Sequence, residues 1–313
     1  MDVSRECELP GTTQHSIRPM TLMTVDLVNL ANVIISGVLT GLVYGLMALG
    51  LSVIFGVARI VNFAHGEMMT LAMYAAVLAF AFLGLDPFAA LVPIAVAFFL
   101  FGYLLQAAVI NRFVARPEHS QFMLLLAIAV IMVNALLIIF GPDARSVQLD
   151  HLLESIAIGP LLVDRGKFYA ALVSCAVSAS LFAFFRLSRP GTAIRACADN
   201  WLGAKVVGLN VKRLYSIAFG LGSGSVAVAG CMMVLLFDLT PASGPAYTLL
   251  AFVIVIVGGL GSMSGALAGG VLIGVSEAVA GLFIAPSAKG MFSFALLILV
   301  LLFRPRGLLG GRS

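Results

Sequence analysis

Nine stretches of almost uninterrupted apolar residues recur along the chain, at 27–55, 68–85, 88–110, 122–140, 168–185, 214–237, 247–260, 265–285 and 291–303. A helix needs about 20 apolar residues to cross the hydrocarbon core of a bilayer, so these stretches read as membrane spans. They read as helices because each span must satisfy its own backbone N–H and C=O groups. A barrel would instead require alternating residues in strands of about ten. The expected fold is an all-α polytopic transmembrane helix bundle of eight to ten spans. The first stretch is long for one span and 247–260 is short, so some spans are expected to be broken or re-entrant.

Composition closes off the alternatives. Of 313 residues, 61% are hydrophobic and 10% charged, against roughly 25% charged in soluble domains, and mean hydropathy is +1.12. A soluble domain has no place for that much apolar surface, whereas a bilayer accepts it. A nucleic-acid binder is excluded because 18 Lys+Arg against 14 Asp+Glu leave only +4, with the bases spread over membrane boundaries. Cys7, Cys175, Cys197 and Cys231 form no CxxC pair, so neither a disulfide framework nor a metal site is expected. Residues 1–26 form a polar segment of mixed charge unlike a secretory signal, so the first apolar run is expected to be a retained span. The chain divides into this head, a transmembrane domain at 27–303 and a tail at 304–313.

Orientation follows from basic residues in short loops. Loop 186–213 carries six bases against the single acid Asp199 and is expected to be cytoplasmic. Tail 304–313 is basic without an acid and is expected on the same side, while 141–167 has net charge −1 and is expected outside. Gly37, Gly41 and Gly45, Gly265 with Gly269, and Gly270 with Gly274 fall four apart, a spacing that lets helix backbones approach closely in lipid.

No catalytic constellation is present. None of Lys167, Lys205, Lys212 and Lys289 is followed by Ser or Thr, which rules out a GxxxxGK[ST] phosphate loop and ATP hydrolysis by that route. The glycine-rich run with Gly258, Gly259, Gly261 and Gly265 has the wrong spacing for a dinucleotide fingerprint and reads as irregular backbone at membrane depth or a helix hairpin. The polar segment 59–67 contains Asn62, His65 and Glu67 between two apolar runs. Either it is a cytoplasmic turn with Arg59 and Glu67 paired or solvated, or it is a broken helix beside a transport path. Glu277 lies in the middle of an apolar stretch, where an ionisable group is costly; it is either a buried, hydrogen-bonded structural residue or part of the path or its gate. Asn134 poses the same question.

The basic loop reads as a short cytoplasmic helix. After a Pro190–Gly191 turn, Thr192 caps a helix running to about Val207, and Gly208 marks its stop. The small residues Gly191, Ala193, Ala196, Ala198 and Ala204 surround Arg195, Asp199, Asn200 and Trp201, the last being the single Trp of the chain. This composition suits docking in a partner's groove; the competing reading is a basic helix resting on anionic lipid.

Gly41–Gly50, the Asn62–Glu67 segment, the Gly191–Asn200 loop with Gly208-Leu-Asn210, the 258–265 run and the closing Arg304-Pro-Arg-Gly-Leu-Leu309 occur in one order over nearly the whole chain. Together they resemble the permeases of branched-chain amino-acid ABC importers, specifically the high-affinity, first permease type. The resemblance implies a heterodimer with a second related permease, two cytoplasmic ATPase subunits that bind the ATP, a periplasmic substrate-binding protein and a bacterial inner membrane. It also implies that 191–210 is the coupling helix contacting the ATPase. Related permeases carry urea, short amides or aromatic acids on the same scaffold. The rival class is a stand-alone secondary transporter in which Glu277 or the His65/Glu67 pair carries a coupling proton; the docking-like loop favours the importer. A membrane enzyme would need a nucleophile–base or metal cluster that the sequence lacks.

Overall fold

A computed structural model describes residues 27–310, apart from 115, 148, 150, 151, 153 and 284–288; the polar head and residues 311–313 lie outside the described residues. The helices run in the order α1 (Leu27–Ala58), α2 (His65–Leu83), α3 (Pro87–Ala108), α4 (Glu118–Phe140), α5 (Arg165–Leu187), α6 (Arg189–Asp199), α7 (Trp201–Val206), α8 (Val211–Met233), α9 (Gly244–Gly258), α10 (Met263–Phe283) and α11 (Lys289–Phe303). A two-stranded antiparallel hairpin, β1 (Ser155–Ile158) and β2 (Leu161–Asp164), precedes α5. Among the described residues, eight helices are long and apolar enough to cross a membrane, and the last apolar helix is shorter. The long first stretch proves to be one unbroken helix of 32 residues. The short seventh stretch gains its length upstream, from the Pro241–Ser243 turn that leads into α9.

Glycine sets how the bundle closes. Gly37 meets Gly274, Val275 and Ala278 of α10; Gly41 meets Gly270 and Val271; Gly45 meets Leu267. A Cβ at Gly37 would come within 2.8 Å of Val275 Cα, so these backbones touch, as the spacing predicts. The partners fall in sequence as α1 rises, so α1 and α10 are antiparallel. Gly50 packs on Gly222 and Ser225 of α8, Gly102 of α3 on Ser223, and Gly258 of α9 on Gly265 of α10. α1 and α8 are the most enclosed spans, while α4 turns most of its surface outward.

That antiparallel packing fixes the faces. The α5–α8 connection lies on one face, called here the basic face. From there α8 rises, α9 returns to it and α10 leaves it. α1 runs opposite to α10 and so begins on the other face, where Asn32 Oδ1 accepts from Leu162 N of the hairpin at 3.0 Å. After α10, α11 traverses back: Leu308 N and Leu309 N donate to Val257 O and Gly258 O at the end of α9, at 2.8 and 2.9 Å. The described residues therefore make nine traverses, from Leu27 opposite the basic loop to Gly310 beside it.

Candidate functional site

The basic loop is two helices where the sequence predicts one. Ser188, not Thr192, caps the first: its Oγ accepts from Gly191 N at 3.0 Å and donates to Phe184 O at 2.6 Å. Pro190 sits inside the first turn of α6 because its missing N–H costs nothing there. The helix breaks at Asn200, whose extended backbone (φ −149°, ψ 94°) closes α6 while its Oδ1 accepts from Gly203 N at 2.8 Å to open α7. Asn offers the backbone a side-chain partner that competes with helix continuation. Gly208, at φ +87°, stops α7 as expected, and Leu209 N donates to Ala204 O at 3.0 Å. Asn210 then caps α8 through Arg213 N at 3.1 Å.

One face of this foot is fixed to the bundle. Gly191, Ile194, Cys197 and Ala204 are buried. A Cβ at Gly191 would strike Phe184 O and Phe185 Cα, so only glycine fits the tight reversal from α5 to α6. Burial pushes the Cys197 thiol up, partly offset by its hydrogen bond with Tyr215, which makes it a packing group rather than a reactive one. Gly191 and Ala204 therefore face the chain's own bundle. Ala193 and Ala198 are half-buried, whereas Arg195, Ala196, Asp199, Asn200, Trp201 and Gly208 face outward. Sequence reasoning missed the apolar continuation of the outer face: Trp201, Leu202, Val206 and Val207 are 57%, 57%, 80% and 75% exposed. Its signal lay in the doublets Trp-Leu and Val-Val, which a helix that turns one face inward cannot wholly hide.

The segment before α2 departs from an ordinary turn. Arg59 takes φ +55°, rare for a residue with a Cβ, and the chain doubles back along α1. His65 Nε2–H donates to Met47 O at 2.9 Å, eleven residues before the end of α1, so α2 begins about 16 Å back along it. Asn62, His65 and Glu67 are all buried. Asn62 Oδ1 accepts from Ala64 N at 3.1 Å, and its Nδ2 donates to Met68 Sδ at 3.9 Å. Glu67 does not pair with Arg59: Thr248 Oγ1 of α9 donates to Glu67 Oε2 at 3.0 Å and accepts from Gly66 N at 2.9 Å. The solvated-turn reading is thereby overturned. Thr248, absent from the sequence reading, joins α2 to α9; no local pattern marks a contact 181 residues away.

The remaining residues singled out by sequence lie elsewhere. Gly258, Gly259, Gly261 and Gly265 form the α9–α10 hairpin on the basic face. Gly259 and Gly261 have φ +110° and +78°, and Ser262 Oγ accepts from Gly265 N at 3.1 Å. Tail residues 307–310 cover this hairpin closely enough that Gly259 abuts Gly310 and Gly307. Asn134 is exposed on α4 and donates to Val130 O of its own helix at 2.8 Å. Glu277 sits toward the opposite face, lining a cavity of about 300 Å³. Its Oε1 accepts from Ser293 Oγ of α11 at 2.6 Å, and Tyr44 of α1 hydrogen-bonds to it. The structure thus places the polar candidates at three separate levels rather than in one cluster.

Eight apolar helices of membrane-crossing length among the described residues define a multi-pass membrane protein. Residues 33–301 match the family of the permease component of branched-chain amino acid transport systems, and the chain belongs to that family. It is 31% identical over 295 residues to the high-affinity branched-chain amino acid transport system permease protein LivH of Salmonella typhimurium, covering 88% of this chain and 94% of that one. To the permease protein BraD of the corresponding system in Pseudomonas aeruginosa it is 30% identical, with the same coverages. A probable branched-chain amino acid transport permease, LivH of Methanocaldococcus jannaschii, is 24% identical over 278 residues, 85% of this chain and 88% of that one.

Proposed function

We propose that the chain is one permease subunit of an ATP-driven importer of branched-chain amino acids in a bacterial inner membrane. In this reading it pairs with a second related permease, receives substrate from a periplasmic binding protein and rests on two cytoplasmic ATPase subunits that bind and hydrolyse the ATP. The observation that carries it is the foot α6–α7. Its inner face is held by Gly191, Ile194, Cys197 and Ala204, while its outer face offers Trp201, Leu202, Val206 and Val207 beside Arg195. Large apolar side chains with an arginine are the usual anchors of protein–protein interfaces. Being fixed to α5 and α8, the foot can pass a push on its outer face to the enclosed span α8, which packs against α1, α2 and α3. Family membership supports the substrate class. The test is uptake of radiolabelled leucine by proteoliposomes holding the co-expressed subunits. ATP-dependent accumulation that requires both the ATPase and the binding protein is expected; accumulation by this chain alone under a proton gradient would overturn the proposal.

A further inference from the structure

The cavity toward the hairpin face is built from the first half of α1, the end of α10, the start of α5 and Phe237. Two side chains of opposite charge type, Lys167 and Glu277, share its wall; Glu277 lies within a span, where an ionisable group is costly. Each is held by hydroxyls. Lys167 Nζ donates to Ser36 Oγ at 2.7 Å, and Glu277 Oε1 accepts from Ser293 Oγ at 2.6 Å and has Tyr44 beside it. Val33, Ala278 and Leu282 add apolar wall to the same cavity.

We propose that this cavity is a transit site for a free amino-acid zwitterion, with Lys167 taking the α-carboxylate, Glu277 the α-ammonium, and the Val33–Ala278–Leu282 wall an aliphatic side chain. The inference rests on the import reading above and deepens it by naming the recognising groups. A zwitterion leaves the cavity's net charge unchanged, and each of its charged groups replaces lost water with an ionised partner, the condition for burying charge at tolerable cost. About 300 Å³ is at the small end of ligand sites and matches one amino acid rather than a peptide. The site lies on the face opposite the foot, where a solute handed over from outside would first enter the bundle.

The test uses the complete reconstituted complex with a leucine analogue that carries a photoactivatable diazirine in its side chain and both charges intact. Illumination during ATP-driven turnover is expected to label peptides from 27–58 and 263–283, with labelling suppressed by excess leucine. Glu277→Gln and Lys167→Gln are each expected to lower this labelling and leucine uptake about tenfold, the order set by losing one charge-assisted hydrogen bond, and Lys167→Arg is expected to restore most of both. A structural role for Glu277 alone would leave Lys167→Gln without effect. Should the variants fail to assemble, labelling of the wild-type complex still decides. Adducts confined to other spans while leucine uptake proceeds, or wild-type uptake in both glutamine variants, would overturn the proposal. Failure of the import reading is distinguishable as the absence of ATP-driven leucine uptake by the wild-type complex, and it would overturn both.

Discussion

At the scale of single residues, Thr248 joins α9 to the re-entrant start of α2. Its hydroxyl accepts from Gly66 N and donates to Glu67 Oε2, and Gly66 lies so close to Gly244 O and Thr248 that a Cβ has no room. Thr248→Val keeps the shape and removes both bonds, leaving a buried N–H and a buried carboxyl without that partner. The expected loss of stability is about 1–3 kcal/mol, read as a lower thermal unfolding midpoint of the detergent-solubilised chain, with Thr248→Ser close to wild type. Equal midpoints for all three would remove Thr248 from the account. At this scale the sequence was only partly legible. Asn62, His65 and Glu67 stood out because polar residues between apolar runs are conspicuous. Thr248, Lys167 and Ser36 did not, since a Thr in a span, a Lys at a helix start and a Ser among apolar residues are individually ordinary and gain meaning only through contacts 131 and 181 residues distant.

At the scale of elements, the spans were legible because membrane burial writes itself into composition over a whole segment, and the glycine spacing named the faces on which α1 and α10 meet. The foot was legible in place and misjudged in form. A propensity argument runs a helix from Thr192 through Val207, and Asn200 reverses it with one side-chain bond to Gly203 N. That bond sets the angle at which Trp201 and Val206 are presented. Asn200→Ala removes the cap, a loss of about 0.5–2 kcal/mol on such helices, and lets α6 continue into α7. The expected outcome is a folded permease that binds its ATPase more weakly, measured as reduced co-purification at unchanged membrane yield, with Asn200→Asp close to wild type. Undiminished co-purification of Asn200→Ala would separate the break from docking. The tail strap over the α9–α10 hairpin had no sequence signal, because Leu308 and Leu309 bond through backbone alone.

At the scale of the molecule, nine traverses place the α5–α8 foot, the α9–α10 hairpin and the tail on one face, and the β-hairpin, the start of α1 and the charged cavity on the other. The positive charge on the foot and tail makes the first face the one expected in the cytoplasm. Single cysteines introduced in a background lacking Cys7, Cys175, Cys197 and Cys231 test this arrangement. Ser155→Cys in the hairpin is expected to react with an impermeant maleimide in spheroplasts, and Lys205→Cys in α7 only after lysis; the reverse pattern would invert the molecule. In the proposed function the foot hands ATPase motion to the bundle, and cross-linking from the foot itself tests this most directly. With Val206→Cys in the same background and a short thiol-to-amine cross-linker, the assembled complex is expected to yield a covalent adduct of this chain with the ATPase subunit, while Ser155→Cys yields none. An adduct absent at Val206→Cys in a complex that still couples ATP hydrolysis to leucine uptake would contradict the account.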